Sequence, residues 1–257
     1  MYYYIIEPSK GKFINRQEKI KDILGDLGIA GETVSPSSAR TVEELTHLGV
    51  VKGYSTIVAV GSEALVNKTI TVLATEQTAR DTVLGIIPDD FTSALAKKIG
   101  ATDIRSACET LKFRKLETFS LALIEPNKYF ITEALIENSK NQEIFFAMEK
   151  LKGKARADRI TIKPGLEINF HDPLKEGGTS RKLIKWLFGK KEKDIFSSSF
   201  HPKKIRFESE KENLPIKVSG EVVAKTPATL YNRPKLLKVI VARDTIKEKK
   251  DLAGGKR

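Results

Sequence analysis

The chain has 257 residues, of which 40% are hydrophobic and 30% charged, and its formal net charge is +12. This length and composition suit one large or two ordinary packed domains and exclude global disorder, while the charge favours polyanionic partners such as nucleic acid, an anionic membrane or phosphorylated ligands. Without an apolar run of 18 residues no spanning helix is expected, and the single cysteine, Cys108, excludes an intrachain disulfide.

Residues 2–6 are apolar or aromatic and read as a buried strand, broken by Glu7-Pro8-Ser9-Lys10-Gly11-Lys12. The opening residues carry no basic n-region, so a cytoplasmic location is expected, with peripheral membrane contact as the variant. Ile20, Ile23, Leu24 and Leu27 recur at helical spacing, and Gly28 ends that helix. A short strand is expected around 29–34. Thr41 with Glu44 three residues on forms a capping-box pattern that opens the next helix. The run Thr56-Ile57-Val58-Ala59-Val60 closes on Gly61, which signals a strand buried on both faces in a parallel sheet. Ser62 is the expected N-cap of the following helix. Residues 83–87 form the next strand, stopped by Pro88. Asp90 is the expected cap of a helix that ends at Gly100, and Thr102 or Asp103 opens another, carrying Cys108 on its apolar side. Strands alternating with helices specify a doubly wound α/β domain over residues 1–114.

The periodicity then changes. Strand-like runs at 116–124, 129–136, 143–148, 159–162, 166–170, 205–208, 216–218, 221–224 and 236–242 have no strong helix among them. Residues 115–243 are therefore expected to form a β-sandwich domain, followed by a mobile charged tail at 244–257. Within the β region, 171–207 holds ten basic residues against four acidic ones. It includes Leu183-Ile184-Lys185-Trp186-Leu187-Phe188, flanked by Arg181, Lys182, Lys190, Lys191 and Lys193. Two readings stand: a loop or short helix packed on the sandwich, or a basic amphipathic segment on anionic lipid. The case for nucleic acid rests on charge alone.

The strand-to-helix turn at Gly61 is the first candidate phosphate site. Ligands of open α/β sheets settle at the carboxyl ends of strands, where helix N-termini present N–H groups. His47, His171 and His201 are scattered, so no metal-ligand spacing is present. Neither a Walker loop nor a Ser-His-Asp spacing is evident.

Order and spacing resemble the diacylglycerol kinase catalytic domain, shared with bacterial lipid kinases and sphingosine kinases, across roughly residues 2–243. Glu7-Pro8-Ser9-Lys10-Gly11 stands where that family has Asn-Pro-x-Ser-Gly. Gly61-Ser62-Glu63-Ala64-Leu65, followed by Val66-Asn67, stands for Gly-Gly-Asp-Gly-Thr followed by Leu-Asn. Pro88-Asp89-Asp90-Phe91-Thr92-Ser93 stands for Pro-x-Gly-Thr-x-Asn. Ser219-Gly220-Glu221, then Thr226-Pro227 and the apolar 235–241, matches the family's Asp-Gly-Glu and closing strand.

The resemblance implies a two-domain lipid kinase-like fold of the NAD kinase/diacylglycerol kinase kind. It also implies ATP and Mg²⁺, with transfer to a lipid hydroxyl such as that of diacylglycerol in a cleft between the domains. It gives Glu221 the acceptor-side carboxylate and Glu63 the acid of the nucleotide loop. Pro8, Ser9, Lys10, Gly61, Ser62, Ala64, Asn67, Pro88 and Asp90 fall in the nucleotide-binding positions. The nucleotide motifs are degenerate: Ala64 and Leu65 replace a Gly and a Thr, and Asp90-Phe91 replaces a Gly-Thr pair. A catalytically inactive relative that binds nucleotide, lipid or anionic membrane is the alternative expectation.

Overall fold

A computed structural model of the chain describes residues 1–8, 14–79, 81–140, 142–149, 151–171 and 198–243. Ser9, Lys10, residues 172–197 of the basic excursion and the tail at 244–257 lie outside the described residues. The chain divides into two compact units: unit 1 is 1–121 with 234–257, and unit 2 is 122–233.

Unit 1 carries strands β1 (Tyr2–Ile6), β2 (Glu32–Val34), β3 (Thr56–Gly61) and β4 (Val83–Pro88). Its helices are α1 (Ile14–Asp26), α2 (Val42–Val51), α3 (Glu63–Thr75), α4 (Ala94–Ile99) and α5 (Ile104–Phe113). The strands pair in the order β2-β1-β3-β4, all parallel. Ile57, Val58 and Ala59 have no exposed surface, as a strand covered on both faces requires. Neighbouring side chains of β1 show that both faces are covered. Tyr2 donates its hydroxyl to the Leu111 carbonyl of α5 at 3.0 Å, while the Tyr3 ring lies where a Cβ on Gly49 of α2 would fall. Successive strand residues point to opposite faces, so α5 and α2 flank the sheet on opposite sides.

Local sequence explains most helix ends. Thr41 accepts from the Glu44 N–H at 3.2 Å and Glu44 accepts from the Thr41 N–H at 2.8 Å, the reciprocal pair that the sequence pattern predicts. Ser62 caps α3 and Asp103 caps α5. Gly100 ends α4 with φ 76°, where a Cβ would be strained. At α4 the structure differs from the sequence reading. Its cap is Ser93, whose Oγ accepts from the Ala96 N–H at 3.1 Å. Asp90 instead closes a tight turn onto Thr92.

Unit 2 is antiparallel. One sheet contains β7 (Ala134–Glu137), β10 (Arg159–Lys163), β11 (Glu167–His171), β12 (Ser198–Phe200), β14 (Pro215–Val218) and β15 (Glu221–Lys225), in the order β12-β11-β10-β7-β14-β15. The other contains β8 (Ile144–Met148), β9 (Leu151–Ala155), β13 (Lys204–Ser209) and the first part of β16 (Ala228–Val241), in the order β16-β13-β8-β9. Strand β5 (Lys115–Ile124) pairs with β6 (Lys128–Phe130) and β16. Ile136, Ile160, Ile162 and Ile216 of the first sheet share one buried cluster with Ile144, Ile205, Phe207 and Leu230 of the second. That shared core makes the unit a sandwich. The last part of β16 belongs to unit 1, where Val239 pairs in parallel with Leu84 of β4. Among the described residues no helix is long and apolar enough to cross a membrane.

Candidate nucleotide site in unit 1

A cavity of about 390 Å³ opens at the carboxyl ends of β1 and β3. In the strand order β2-β1-β3-β4 the chain reverses direction of winding between β1 and β3, and ligands of doubly wound sheets occupy that position. Ile6, Glu7 and Pro8 leave β1 on one side, and Val60, Gly61 and Ser62 leave β3 on the other. Arg16, Gln17 and Ile20 of α1 and Asp89 after β4 complete the lining.

Backbone bonds set the two loops side by side. The Glu7 N–H donates to the Val60 carbonyl at 2.9 Å, and the Asp89 N–H to the Gly61 carbonyl at 3.0 Å. From α1, the Gln17 amide donates to the Glu7 carbonyl at 2.8 Å. Arg16 clasps the loop after β4: Nη2 donates to the Pro88 carbonyl at 2.7 Å and Nη1 to the Asp89 carbonyl at 2.9 Å. Its guanidinium carbon lies 5.5 Å from the centre of the Phe91 ring, within cation–π range.

The central contact is between Glu7 and the α3 N-terminus. Glu7 Oε2 accepts from the Ser62 N–H at 2.6 Å, and Oε1 accepts from the Ser62 hydroxyl at 3.0 Å. Ser62 Oγ also accepts from the Leu65 N–H at 3.3 Å, the capping bond of α3. A carboxylate at a helix N-terminus is stabilised by about 0.3–1 kcal/mol through the helix dipole. Gly61 makes the approach possible. Its φ is +145°, and a Cβ there would stand 2.6 Å from Glu7 Cβ and collide with Glu7 Oε2.

Of the residues that the resemblance singled out, Pro8, Gly61 and Ser62 meet at this cavity, and the Pro88 carbonyl holds Arg16 beside it. Glu63 and Ala64 are half-buried in the first turn of α3. Asn67 is buried one turn further along, and Leu65 is directed into the core with 2% of its surface exposed. Asp90 is exposed. The Thr92 hydroxyl, and after it the Thr92 N–H, hold its carboxyl below the ordinary aspartate value. Glu221 belongs to unit 2, where it opens β15 after the turn at Ser219 and Gly220. Both turn residues have positive φ, 50° and 82°, as a type I′ hairpin turn requires. Residue-type reasoning gave Glu7 no role and missed Arg16, Gln17 and Asp89. The available signal was the lone arginine near the start of the first helix.

No family model matches the sequence. No curated protein sequence matches it either. The fold does have close counterparts. A crystal structure of a diacylglycerol kinase from Bacillus anthracis str. Sterne superposes with a TM-score of 0.74 at 14% identity, covering 95% of this chain and 98% of that one. An NAD kinase from Archaeoglobus fulgidus, solved in complex with ATP, superposes with a TM-score of 0.55 at 13% identity, covering 96% of each chain. The chain therefore has the two-domain diacylglycerol kinase-like fold expected from its motifs.

Proposed function

We propose that this chain is a lipid kinase-like protein that receives a nucleotide in the unit 1 cavity and transfers its terminal phosphoryl group slowly to a lipid hydroxyl. The observation that carries this reading is the cavity's position at the β1–β3 switch point of a kinase-like fold matched over nearly the whole chain. In the reaction the acceptor oxygen forms a bond to the γ-phosphorus, and the bond to the bridging oxygen breaks to release the diphosphate. The resemblance assigns Glu221 the acceptor side, where its carboxylate would take the hydroxyl proton. Among the described residues no three Asp, Glu, His or Cys side chains converge as a metal cage. Mg²⁺ would then arrive on the nucleotide's own phosphates, as it commonly does in phosphoryl transfer.

A second reading follows from Ser62, whose N–H and hydroxyl are both given to Glu7. On this reading the protein binds nucleotide or lipid without transfer. Radiolabelled phosphate transfer from ATP to diacylglycerol in mixed micelles separates the two. The first predicts slow labelling of the lipid, abolished by Glu221→Gln. Labelling unaffected by Glu221→Gln removes the assigned carboxylate, and absent labelling with ATP bound leaves the second reading.

A further inference from the structure

We infer that Glu7 sets the ligand specificity of the unit 1 cavity by standing in for a phosphate at the α3 N-terminus. This inference rests on the nucleotide reading of the cavity and concerns which part of a nucleotide it favours. A phosphate oxygen at that position would accept hydrogen bonds from the first free N–H of the turn and from the cap hydroxyl. Both are already taken by one carboxylate, at 2.6 and 3.0 Å.

The fit is built rather than incidental. The space that a Cβ on residue 61 would fill is filled by the Glu7 carboxylate and Cβ. The glycine that would let backbone approach a phosphate here lets it approach an internal anion. The Glu7 main chain is fixed on both sides, by its N–H to Val60 and by Gln17 on its carbonyl. Among the described residues lining the cavity the basic side chain is Arg16, and it is engaged with the Pro88 and Asp89 carbonyls. Arg16 is thus committed to main-chain carbonyls rather than to an incoming polyphosphate.

A polyphosphate must displace the carboxylate or lie beside it, and two like charges a few ångströms apart repel strongly at a partly buried site. The cavity consequently favours the uncharged nucleoside part of a nucleotide over its phosphates. The resemblance supplies a natural contrast, because the family carries Asn where this chain carries Glu7. An amide there would offer a donor to phosphate in place of a negative charge.

Calorimetric titration of adenosine and of ATP into the wild type, Glu7→Gln and Glu7→Asn tests this, with melting curves to establish folding. The glutamine variant keeps a carbonyl oxygen for the Ser62 N–H. The expected result is ATP affinity raised at least about tenfold in both variants, with adenosine affinity unchanged. In the wild type, adenosine should bind at least as tightly as ATP. ATP affinity unchanged or weakened in the folded variants overturns the role of Glu7 and leaves the nucleotide reading intact. Wild type that binds ATP more tightly than adenosine overturns it without any variant. Binding of neither ligand to any of the three proteins overturns the nucleotide reading as well.

Discussion

Gly61 and Glu7 form one device, and each explains the other. The backbone of Gly61 has a conformation almost reserved for glycine, and the carboxylate of Glu7 fills the space where a side chain would otherwise stand. Gly61→Ala combines a strained φ with a collision against Glu7. It is expected to cost about 1–3 kcal/mol from the backbone alone, read as a lowered midpoint in urea unfolding. An unchanged midpoint would contradict both the glycine-only backbone at residue 61 and the collision with Glu7. Glu7 and the Ser62 it bonds are 55 apart in sequence, so no local pattern could pair them. Read alone, Gly61-Ser62 has the features of a phosphate turn: small residues, a strand before and a helix after. Only the fold discloses that the anion is supplied by the chain itself. The cap of α4 was ambiguous for a different reason. Asp90 and Ser93 are both good capping residues three positions apart. Thr92 decided between them by drawing the Asp90 carboxylate into a turn of its own.

At the scale of elements, helix ends were legible where capping chemistry was unique, and strands were legible where an apolar run was unbroken or alternation was strong. The Thr41–Glu44 box and the buried run at 56–60 appear as expected. Strand β9, Leu-Lys-Gly-Lys-Ala, was missed because two of its five residues are exposed lysines and its leucine is exposed as well. Strand β16 was expected only over 236–242, yet it runs from Ala228 through Pro234 for 14 residues in all. Nothing local marks its return to β4, because that pairing is set by the parallel sheet rather than by neighbours in sequence. The same capping chemistry gives α5 a pH dependence. The Ser106 N–H on Asp103 is the main cause that holds its carboxyl below the ordinary value of 3.8. Because the folded value is depressed, this bond contributes stability that is complete above about pH 3.8 and is lost as pH falls through the folded value. Asp103→Asn should thus narrow its stability gap to wild type as pH drops below 3.8 in urea titrations. A gap that widened in acid would contradict the assigned sign.

For the whole molecule, class was legible and activity was not. Order and spacing of motifs over roughly residues 2–243 pointed to the diacylglycerol kinase-like fold, and the superposition bears that out at 14% identity. Motif order survives because it follows strand and helix order, which packing maintains. The motif residues themselves answer to the ligand, so it is the resemblance alone, not the superposition, that marks Ala64, Leu65 and Asp90 as departures from phosphate-binding types. The central claim is that nucleotide is received at the carboxyl ends of β1 and β3, where Glu7 guards the α3 N-terminus. Hydrogen exchange with and without millimolar ATP and Mg²⁺ tests it most directly, in wild type and in Glu7→Gln. The account predicts slowed exchange in residues 6–7, 16–17 and 60–66, with greater slowing in the variant. Exchange unchanged by ATP in all three segments of both proteins would contradict it.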